Sequence, residues 1–264
     1  MQDLKIAFIQ SDLIWADPAA NRNMFDRWFS SIHSDPDIIV LPETFNTGFP
    51  VDPKVFAESA EGASMVWLRD KAVHSKAVVC ASLLLETGGK YYNSLIWMKP
   101  DGTFSRYDKR HVFRMGGEDE SISPGQEIIT ENLKGWKIRP MICYDLRFPV
   151  WCRNQYANGT HEYDLLLFVA NWPKVRSYPW NQLLIARAIE NQAYVLGVNR
   201  VGKDDHGIEY DGDSCLIDPK GNIIVAANQG KEALVEVMVS YKELIDYRTK
   251  FNVGLDWDPF SLKQ

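Results

Sequence analysis

Short runs of apolar residues, rich in β-branched side chains, recur along the whole chain of 264 residues. Several of them, such as DIIVLPE at 37–43 and DLLLFVAN at 164–171, are apolar without alternation. Uninterrupted apolar runs are typical of strands that are buried on both faces of a sheet. The pattern predicts strands at residues 5–10, 37–41, 77–85, 91–98, 136–144, 164–170, 193–199, 213–217, 222–226 and 233–239.

Three segments between these runs have helical periodicity instead. In the segment 18–33, apolar residues such as Met24 and Trp28 repeat at one-, three- and four-residue steps and form one stripe. The segments 62–76 and 178–192 have the same spacing. Alternation of strands and helices predicts an α/β protein.

Two turn sequences, KPDG at 99–102 and DPKG at 218–221, lie between predicted strands and indicate hairpins. The chain contains no internal repeat and no linker rich in Pro, Gly or Ser, so we expect a single domain over residues 1–264. Open α/β sheets bind ligands at the carboxyl ends of their strands. Candidate chemistry is therefore sought at those ends.

Composition excludes several classes of protein. A hydrophobic fraction of 45% and a charged fraction of 24% are ordinary for a globular domain and exclude disorder. A net charge of -6 provides no electrostatic footprint for nucleic acid. No apolar run approaches the ~20 residues that span a bilayer, and the start MQDLKIAFIQ lacks the features of a signal peptide. We expect a cytoplasmic protein with no membrane or nucleic-acid partner.

The four cysteines, Cys80, Cys143, Cys152 and Cys215, are widely spaced and form no C-x-x-C pair. That spacing disfavours both a disulfide framework and a zinc site. The H-E-x-x-H, G-x-G-x-x-G and Walker motifs are absent from the sequence. Metal-assisted hydrolysis, dinucleotide binding and phosphoryl transfer therefore lack their usual signals.

Three predicted strand ends carry candidate chemistry. Glu43 follows a buried strand and a proline, and Lys109 lies in the charged run 107–111; either fragment by itself also fits an exposed loop. Cys143 stands where an apolar run gives way to a helix start. Backbone N–H groups there can lower the pKa of a thiol and bind an oxyanion, although a free cysteine is more often simply buried.

Together these three ends resemble the carbon–nitrogen hydrolase (nitrilase) superfamily. The motifs are LPE at 41–43, DKRH at 108–111 and CYDLRFP at 143–149. Lys109 lies 66 residues after Glu43, and Cys143 lies 34 residues after Lys109. The resemblance covers nearly the whole chain, and the omega-amidase branch is the most similar, because it shares the runs KRHVFRM and NWP, at 109–115 and 171–173.

The resemblance implies a four-layer α-β-β-α sandwich with Glu43, Lys109 and Cys143 as a catalytic triad. It also implies a second glutamate placed seven residues before a glycine. Glu118 has that spacing to Gly125, whereas Glu120 resembles the local pattern of some relatives and is the alternative.

The implied activity is hydrolysis of the terminal amide in small dicarboxylate monoamides, such as 2-oxoglutaramate or 2-oxosuccinamate, without a metal or organic cofactor. Cys143 would attack the amide carbon, and Glu43 would carry protons. Lys109 and the backbone N–H of Tyr144 would stabilise the oxyanion, with Glu118 orienting Lys109, the substrate or the attacking water.

A substrate with a free carboxylate needs a cation. Arg147 is the candidate anchor, because a guanidinium matches a carboxylate in bidentate fashion; the alternative is a structural pair with an acidic neighbour such as Asp145. The flanking aromatic residues Phe45, Tyr144 and Trp172 are expected to line the pocket, or else to belong to the core.

Two other functions stay open from the sequence. One is another aliphatic amidase, a nitrilase or a carbamoylase of the same superfamily. The other is a catalytically silent binding protein on the same fold, against which the intact Glu43, Lys109 and Cys143 argue. The resemblance also implies a homodimer or larger homo-oligomer, with the helix at 178–192 and the C-terminal tail, about 240–264, as candidates for an interface or for ordinary packing.

Overall fold

A computed structural model describes residues 2–50 and 52–262. Its helices are α1 (Pro18–Ser30), α2 (Pro53–Phe56), α3 (Ala63–Ser75), α4 (Pro149–Cys152), α5 (Ser177–Asn191) and α6 (Tyr241–Lys250). Its strands are β1 (Leu4–Gln10), β2 (Ile38–Val40), β3 (Val78–Thr87), β4 (Lys90–Met98), β5 (Phe104–Asp108), β6 (Glu131–Leu133), β7 (Trp136–Ile142), β8 (Tyr156–Ala157), β9 (Thr160–His161), β10 (Leu165–Ala170), β11 (Tyr194–Asn199), β12 (Val201–Lys203), β13 (Glu209–Asp211), β14 (Cys215–Ile217), β15 (Ile223–Ala226) and β16 (Ala233–Val239).

Twelve of these strands form two six-stranded sheets. The first has the order β16-β1-β2-β3-β4-β5 and the second the order β15-β14-β11-β10-β7-β6. The strands β1, β2 and β3 are parallel, as are β7, β10 and β11, while the outer strands of each sheet pair antiparallel. Helices α1, α3 and α5 connect parallel neighbours, as parallel pairs require.

The two sheets pack face to face. Successive side chains of β1 point to opposite faces of the first sheet and show which face meets the second sheet. Phe8 belongs to the core shared with the second sheet, whereas Ile9 belongs to the cluster that includes Phe25 of α1. On the opposite side, Trp180 and Leu184 of α5 pack against β11. The expected α/β fold, with helices outside two stacked sheets, is confirmed.

The sequence misplaced or missed some elements. The predicted strand 136–144 ends at Ile142, because Cys143 adopts φ +42° and begins a 3₁₀ helix over Cys143–Arg147. Helix α6 was not predicted; its charged composition hides the short apolar side on which Leu244 is fully buried. The predicted turns at 99–102 and 218–221 do join antiparallel strands.

The C-terminal tail packs on its own chain. The Trp257 ring lies 4.4 Å from the guanidinium carbon of Arg153 and 5.6 Å from the ring of His161. Residues 263 and 264 lie outside the described part of the chain. A role of the tail in an oligomer interface stays a prediction.

Across residues 2–50 and 52–262, no helix has the length and apolar character needed to cross a membrane. The longest helix, α5, has 15 residues.

The fold brings several strand ends to one edge. Glu43 follows β2, Lys109 follows β5, Cys143 follows β7 and Asn171 follows β10. Within each sheet these strands run in the same direction, so their carboxyl ends lie at the same edge. Four segments distant in the sequence therefore converge.

Candidate active site

A buried ammonium group lies at the centre of this convergence. Nζ of Lys109 is 2.9 Å from Oε1 of Glu43 and 2.9 Å from Oε2 of Glu118. All three side chains are at most 1% exposed. Nζ also lies 3.2 Å from Oε1 of Glu118. The three N–H donors of the Lys109 ammonium are therefore directed at the two carboxylates.

The two carboxylates keep Lys109 charged. Burial acts to lower the pKa of Lys109, but the negative charges of Glu118 and Glu43 outweigh it and raise that pKa. Burial raises the pKa of Glu118, and the adjacent ammonium opposes the shift. Lys109 is therefore a fixed cation at neutral pH.

Asn93 of β4 joins the two glutamates. Its Nδ2 donates to Oε1 of Glu43 at 2.9 Å and to Oε1 of Glu118 at 3.3 Å. Its backbone carbonyl accepts a hydrogen bond from the backbone N–H of Lys109 at 2.9 Å. Sequence reasoning missed this residue, although a polar side chain within the apolar run 91–98 was the available signal.

Asn171 ties Glu43 to the second sheet. Its backbone N–H donates to Oε2 of Glu43 at 2.7 Å, and its Nδ2 donates to the Glu43 carbonyl at 2.8 Å. Nδ2 also donates to Oγ1 of Thr44 at 2.9 Å, where the backbone adopts φ +43°. The NWP motif had singled out Asn171 without assigning it this role.

Cys143 is presented by a sharp turn. Its φ of +42° lies in the left-handed region, which costs a residue with a side chain free energy that the surrounding structure must offset. Asp145 stabilises the turn, because its Oδ2 accepts the N–H of Ile142 at 3.2 Å and the Tyr107 hydroxyl at 2.7 Å. Sγ of Cys143 lies 4.0 Å from the Asn171 carbonyl.

The thiol of Cys143 is not pre-ionised. Burial and the Glu43 carboxylate raise its pKa well above the ordinary value, although Lys109 opposes them. The expected lowering of this pKa by a helix N-terminus is therefore wrong, because desolvation and a nearby negative charge dominate. The resting group is a thiol next to a carboxylate.

The other three cysteines are buried elsewhere. Burial raises the pKa of Cys152 and of Cys215 to about 12, and raises that of Cys80 further. All four cysteines are unpaired. Only Cys143 of the four borders the cavity described next.

A cavity of about 500 Å³ opens above Cys143. Tyr144 and Trp172 line it, as the sequence predicts. Its aromatic, charged and small residues come from several loops, which the sequence did not identify as a group. The lining residues are Trp15, Glu43, Phe49, Pro50, Asp52, Lys109, Phe113, Gly116, Cys143, Tyr144, Arg147, Asn171, Trp172, Pro173, Arg176, Asp204, His206, Ile208 and Tyr210.

Phe45 does not line this cavity, contrary to expectation. Its backbone N–H binds the Ser82 carbonyl at 3.0 Å, and its ring lies on the helix-covered face of the first sheet. There the ring is fully buried, 5.8 Å from the ring of Phe25 and 5.4 Å from that of Trp67. Phe49 lies on the cavity instead, 5.2 Å from Nζ of Lys109.

Arg147 points into the cavity without a carboxylate partner in the described part of the chain. Its guanidinium carbon lies 4.8 Å from the centre of the Trp172 ring. The alternative pairing with Asp145 does not occur, because both Asp145 oxygens accept other hydrogen bonds, from His111 and Tyr107 among others. Arg147 is therefore available to an anion.

Of the two candidate glutamates, the structure brings only Glu118 to Lys109. Glu120 is exposed. Oε2 of Glu118 also accepts the backbone N–H of Phe113, and the N–H of Gly125 binds the Lys109 carbonyl at 2.8 Å. A side chain at Gly125 would meet the carbonyl of Asp108, so the segment that carries Glu118 lies close against the end of β5.

Within residues 2–50 and 52–262, no group of three or more His, Cys, Asp or Glu side chains is arranged to hold a metal ion. Glu43 and Glu118 are already hydrogen-bonded to the Lys109 ammonium.

This geometry accompanies a clear match to a known family. Residues 5–249 match the model of the carbon-nitrogen hydrolases. The chain belongs to the carbon–nitrogen hydrolase family. It is 45% identical over 264 residues to the omega-amidase YafV of Yersinia enterocolitica, with 99% of this chain and 100% of the relative covered.

Two further relatives extend the comparison. The chain is 30% identical to the 2-oxoglutaramate amidase of Bacillus subtilis, over 94% of this chain and 95% of the relative. A solved carbon–nitrogen hydrolase superfamily protein from Xanthomonas campestris, with an arsenic adduct in its active site, superposes with a TM-score of 0.96 at 41% identity, over 100% of both chains.

Membership makes the protein an enzyme, a hydrolase of carbon–nitrogen bonds. The alternative of a catalytically silent binding protein is set aside. In this carbon–nitrogen hydrolase, a buried Glu–Lys–Glu cluster, a strained cysteine and a cavity with an available arginine occupy one edge of the two sheets.

The left-handed backbone at Cys143 predicts an unusual order of stability. Glycine adopts φ +42° without strain, whereas alanine does not. The free energy of unfolding of Cys143→Gly should therefore equal that of Cys143→Ala or exceed it by up to about 1 kcal/mol. Urea denaturation measures both. Cys215, in β14, is the matched control, where glycine should be less stable than alanine by about 0.5–1 kcal/mol. The same order at both positions would contradict the strain.

Proposed function

We propose that the protein is an omega-amidase that releases ammonia from the terminal amide of small dicarboxylate monoamides, of the 2-oxoglutaramate or 2-oxosuccinamate type. The observation that carries the proposal is the convergence of Glu43, Lys109 and Cys143 at a cavity whose wall holds Arg147. The relatives named omega-amidase and 2-oxoglutaramate amidase support the same substrate class.

In the first half of the reaction, Sγ of Cys143 attacks the carbonyl carbon of the amide. Glu43 accepts the thiol proton as the bond forms and then delivers it to the leaving nitrogen. The carbon–nitrogen bond breaks, ammonia departs, and the acyl group is held on Cys143 as a thioester. Because the resting thiol is protonated, a base beside the sulfur is required.

In the second half, a water molecule hydrolyses the thioester. Glu43 takes a proton from the water, whose oxygen attacks the thioester carbon. The carbon–sulfur bond breaks, the acid product forms, and the proton returns to the sulfur. One water is consumed for each ammonia released.

Two donors act on the carbonyl oxygen in both halves. The Lys109 ammonium, which borders the cavity, is one donor, and the backbone N–H of Tyr144 is the second. One such donor contributes about 3–4 kcal/mol to stabilising the transition state. Glu118 holds the ammonium in place through its 2.9 Å contact.

Arg147 binds the carboxylate at the far end of the substrate. Its planar fork matches a carboxylate in bidentate fashion. The Trp172 ring, 4.8 Å away, supports the guanidinium and reduces the conformational freedom lost on binding.

A panel of ammonia-release assays tests the proposal. The two 2-oxo acid amides should give the highest kcat/KM, because they combine a terminal amide with a carboxylate that Arg147 can bind. Neutral aliphatic amides and nitriles lack the carboxylate, and N-carbamoyl amino acids carry a urea group in place of the amide. Cys143→Ala should keep the native circular dichroism and lose turnover. Preference for a nitrile or a carbamoyl amino acid would replace the proposed activity, and near-normal turnover of Cys143→Ala would reject Cys143 as nucleophile.

Replacing Glu43 separates its charge from its hydrogen bonds. In Glu43→Gln, kcat should fall by about 10²–10⁴ because the proton carrier is lost. The carboxylate raises the pKa of Cys143, so its removal should lower that pKa. Alkylation of Cys143 by iodoacetamide, followed by mass spectrometry, should then reach half its maximal rate at a lower pH than in the wild type. An unchanged or higher midpoint would show that Glu43 does not act on the thiol.

Glu118 and Glu120 form a matched pair for the second glutamate. Glu118→Gln should lower kcat by about 10²-fold, because the ammonium loses a charged partner and shifts from its position. Glu120→Gln makes the same chemical change at an exposed side chain and should leave kcat unaltered. Steady-state ammonia release measures both, and equal effects would exclude Glu118 from the catalytic cluster.

A further inference from the structure

A second arginine, in addition to Arg147, borders the cavity. The guanidinium carbon of Arg176 lies 5.4 Å from the centre of the Phe113 ring, and both residues line the cavity. Arg176 has no carboxylate partner within residues 2–50 and 52–262. Two guanidinium groups without counter-ions therefore face one ligand space, which favours an anion with more than one acceptor.

The neighbouring acids are engaged elsewhere. Lys174 pairs with Asp211 at 3.3 Å and with Glu209 at 3.6 Å. Asp204, on the cavity wall, accepts the Tyr210 hydroxyl at 2.9 Å and the backbone N–H groups of two loop residues, His206 and Ile208. Because these acids bind other groups, none of them pairs with Arg176, which borders the cavity.

Of the other acids that border the cavity, Glu43 is paired with Lys109, and Asp52 is exposed. Water screens an exposed carboxylate more than it screens groups inside the cavity. The interior wall thus presents Arg147 and Arg176 as its guanidinium groups.

Trp172 contacts both arginine residues. Its ring supports Arg147, and its Nε1 donates to the Arg176 carbonyl at 2.7 Å. The Trp172 side chain is buried, and its backbone N–H donates to Oδ1 of Asn199 at 2.8 Å. One buried indole therefore contacts the Arg147 guanidinium and the backbone of Arg176.

We propose that Arg176 is a specificity-determining residue that acts with Arg147 to bind the carboxylate and the adjacent 2-oxo oxygen of the substrate. This inference rests on the proposed function and deepens it. An amide of a 2-amino acid, such as L-glutamine, carries an ammonium group at the carbon where a 2-oxo acid carries its oxygen. Two guanidinium groups attract the oxygen and repel the ammonium, so Arg176 selects 2-oxo acid amides over 2-amino acid amides.

Calorimetry on the Cys143→Ala protein tests binding apart from catalysis. When Arg176→Gln is introduced into the Cys143→Ala protein, the Kd for 2-oxoglutaramate should rise by about tenfold or more, because a charge-assisted contact is lost. Lys174→Gln removes the same charge two residues away, outside the cavity, and should change the Kd by less than about twofold.

Kinetics with Cys143 intact test selectivity. Arg176→Gln should raise KM for 2-oxoglutaramate and lower its preference over L-glutamine by about tenfold, while kcat/KM for butyramide stays within about twofold. Arg176→Lys should restore part of the preference. Equal losses of kcat/KM for butyramide and 2-oxoglutaramate would assign Arg176 a structural role. A Kd for 2-oxoglutaramate no higher in Arg176→Gln than in Lys174→Gln would overturn the inference.

The two proposals fail separately. If the wild type does not hydrolyse 2-oxoglutaramate but the Cys143→Ala protein binds it through Arg176, the proposed function fails and the anion site stands. If the Cys143→Ala protein does not bind 2-oxoglutaramate, the two-arginine site is wrong, whatever amides the enzyme hydrolyses.

Discussion

The buried ammonium of Lys109 between Glu43 and Glu118 is the constraint on which the site depends. None of these charges is tolerable alone at this depth, and removal of one partner from such a cluster costs about 3–5 kcal/mol. Glu43 lies 66 residues before Lys109 in the sequence, and Glu118 lies nine residues after it. The attraction between the ammonium and the two carboxylates therefore fixes the end of β5 against the end of β2 and against the turn that carries Glu118.

Amide side chains extend this constraint to the second sheet. Asn93 spans the two glutamates, and Asn171 attaches Glu43 to the strand end next to Cys143. The strain at Cys143 persists because packed strands and the hydrogen bonds of Asp145 surround it. In the proposed mechanism, the thiol, Glu43 and the Lys109 cation are thus in place before a substrate arrives, which would remove much of the reorganisation that the reaction needs.

The cavity shows how local charge departs from the charge of the whole molecule. The chain carries a net charge of -6, yet Lys109, Arg147 and Arg176 all border the ligand space. Paired carboxylates on the surrounding loops do not cancel these cations. For an anionic amide of the proposed type, these near charges would act inside a partly enclosed space, where screening by salt is weak.

The sequence by itself determined the α/β class, most strand and helix positions, and the motifs that carry Glu43, Lys109 and Cys143. Apolar runs, helical periods and short motifs are all local features of the chain, so they can be recognised from the sequence alone. Helix α6 escaped because one buried leucine on a charged helix leaves too weak a periodic signal.

Only the tertiary structure decided which neighbours these residues have. Glu118 rather than Glu120 contacts Lys109, Phe45 lies in the core rather than in the cavity, and Arg147 is free of Asp145. The direction of the pKa shift at Cys143 also reversed the expectation. Each outcome depends on burial and on charges from distant segments, which the order of residues does not encode locally but the packing of two sheets creates.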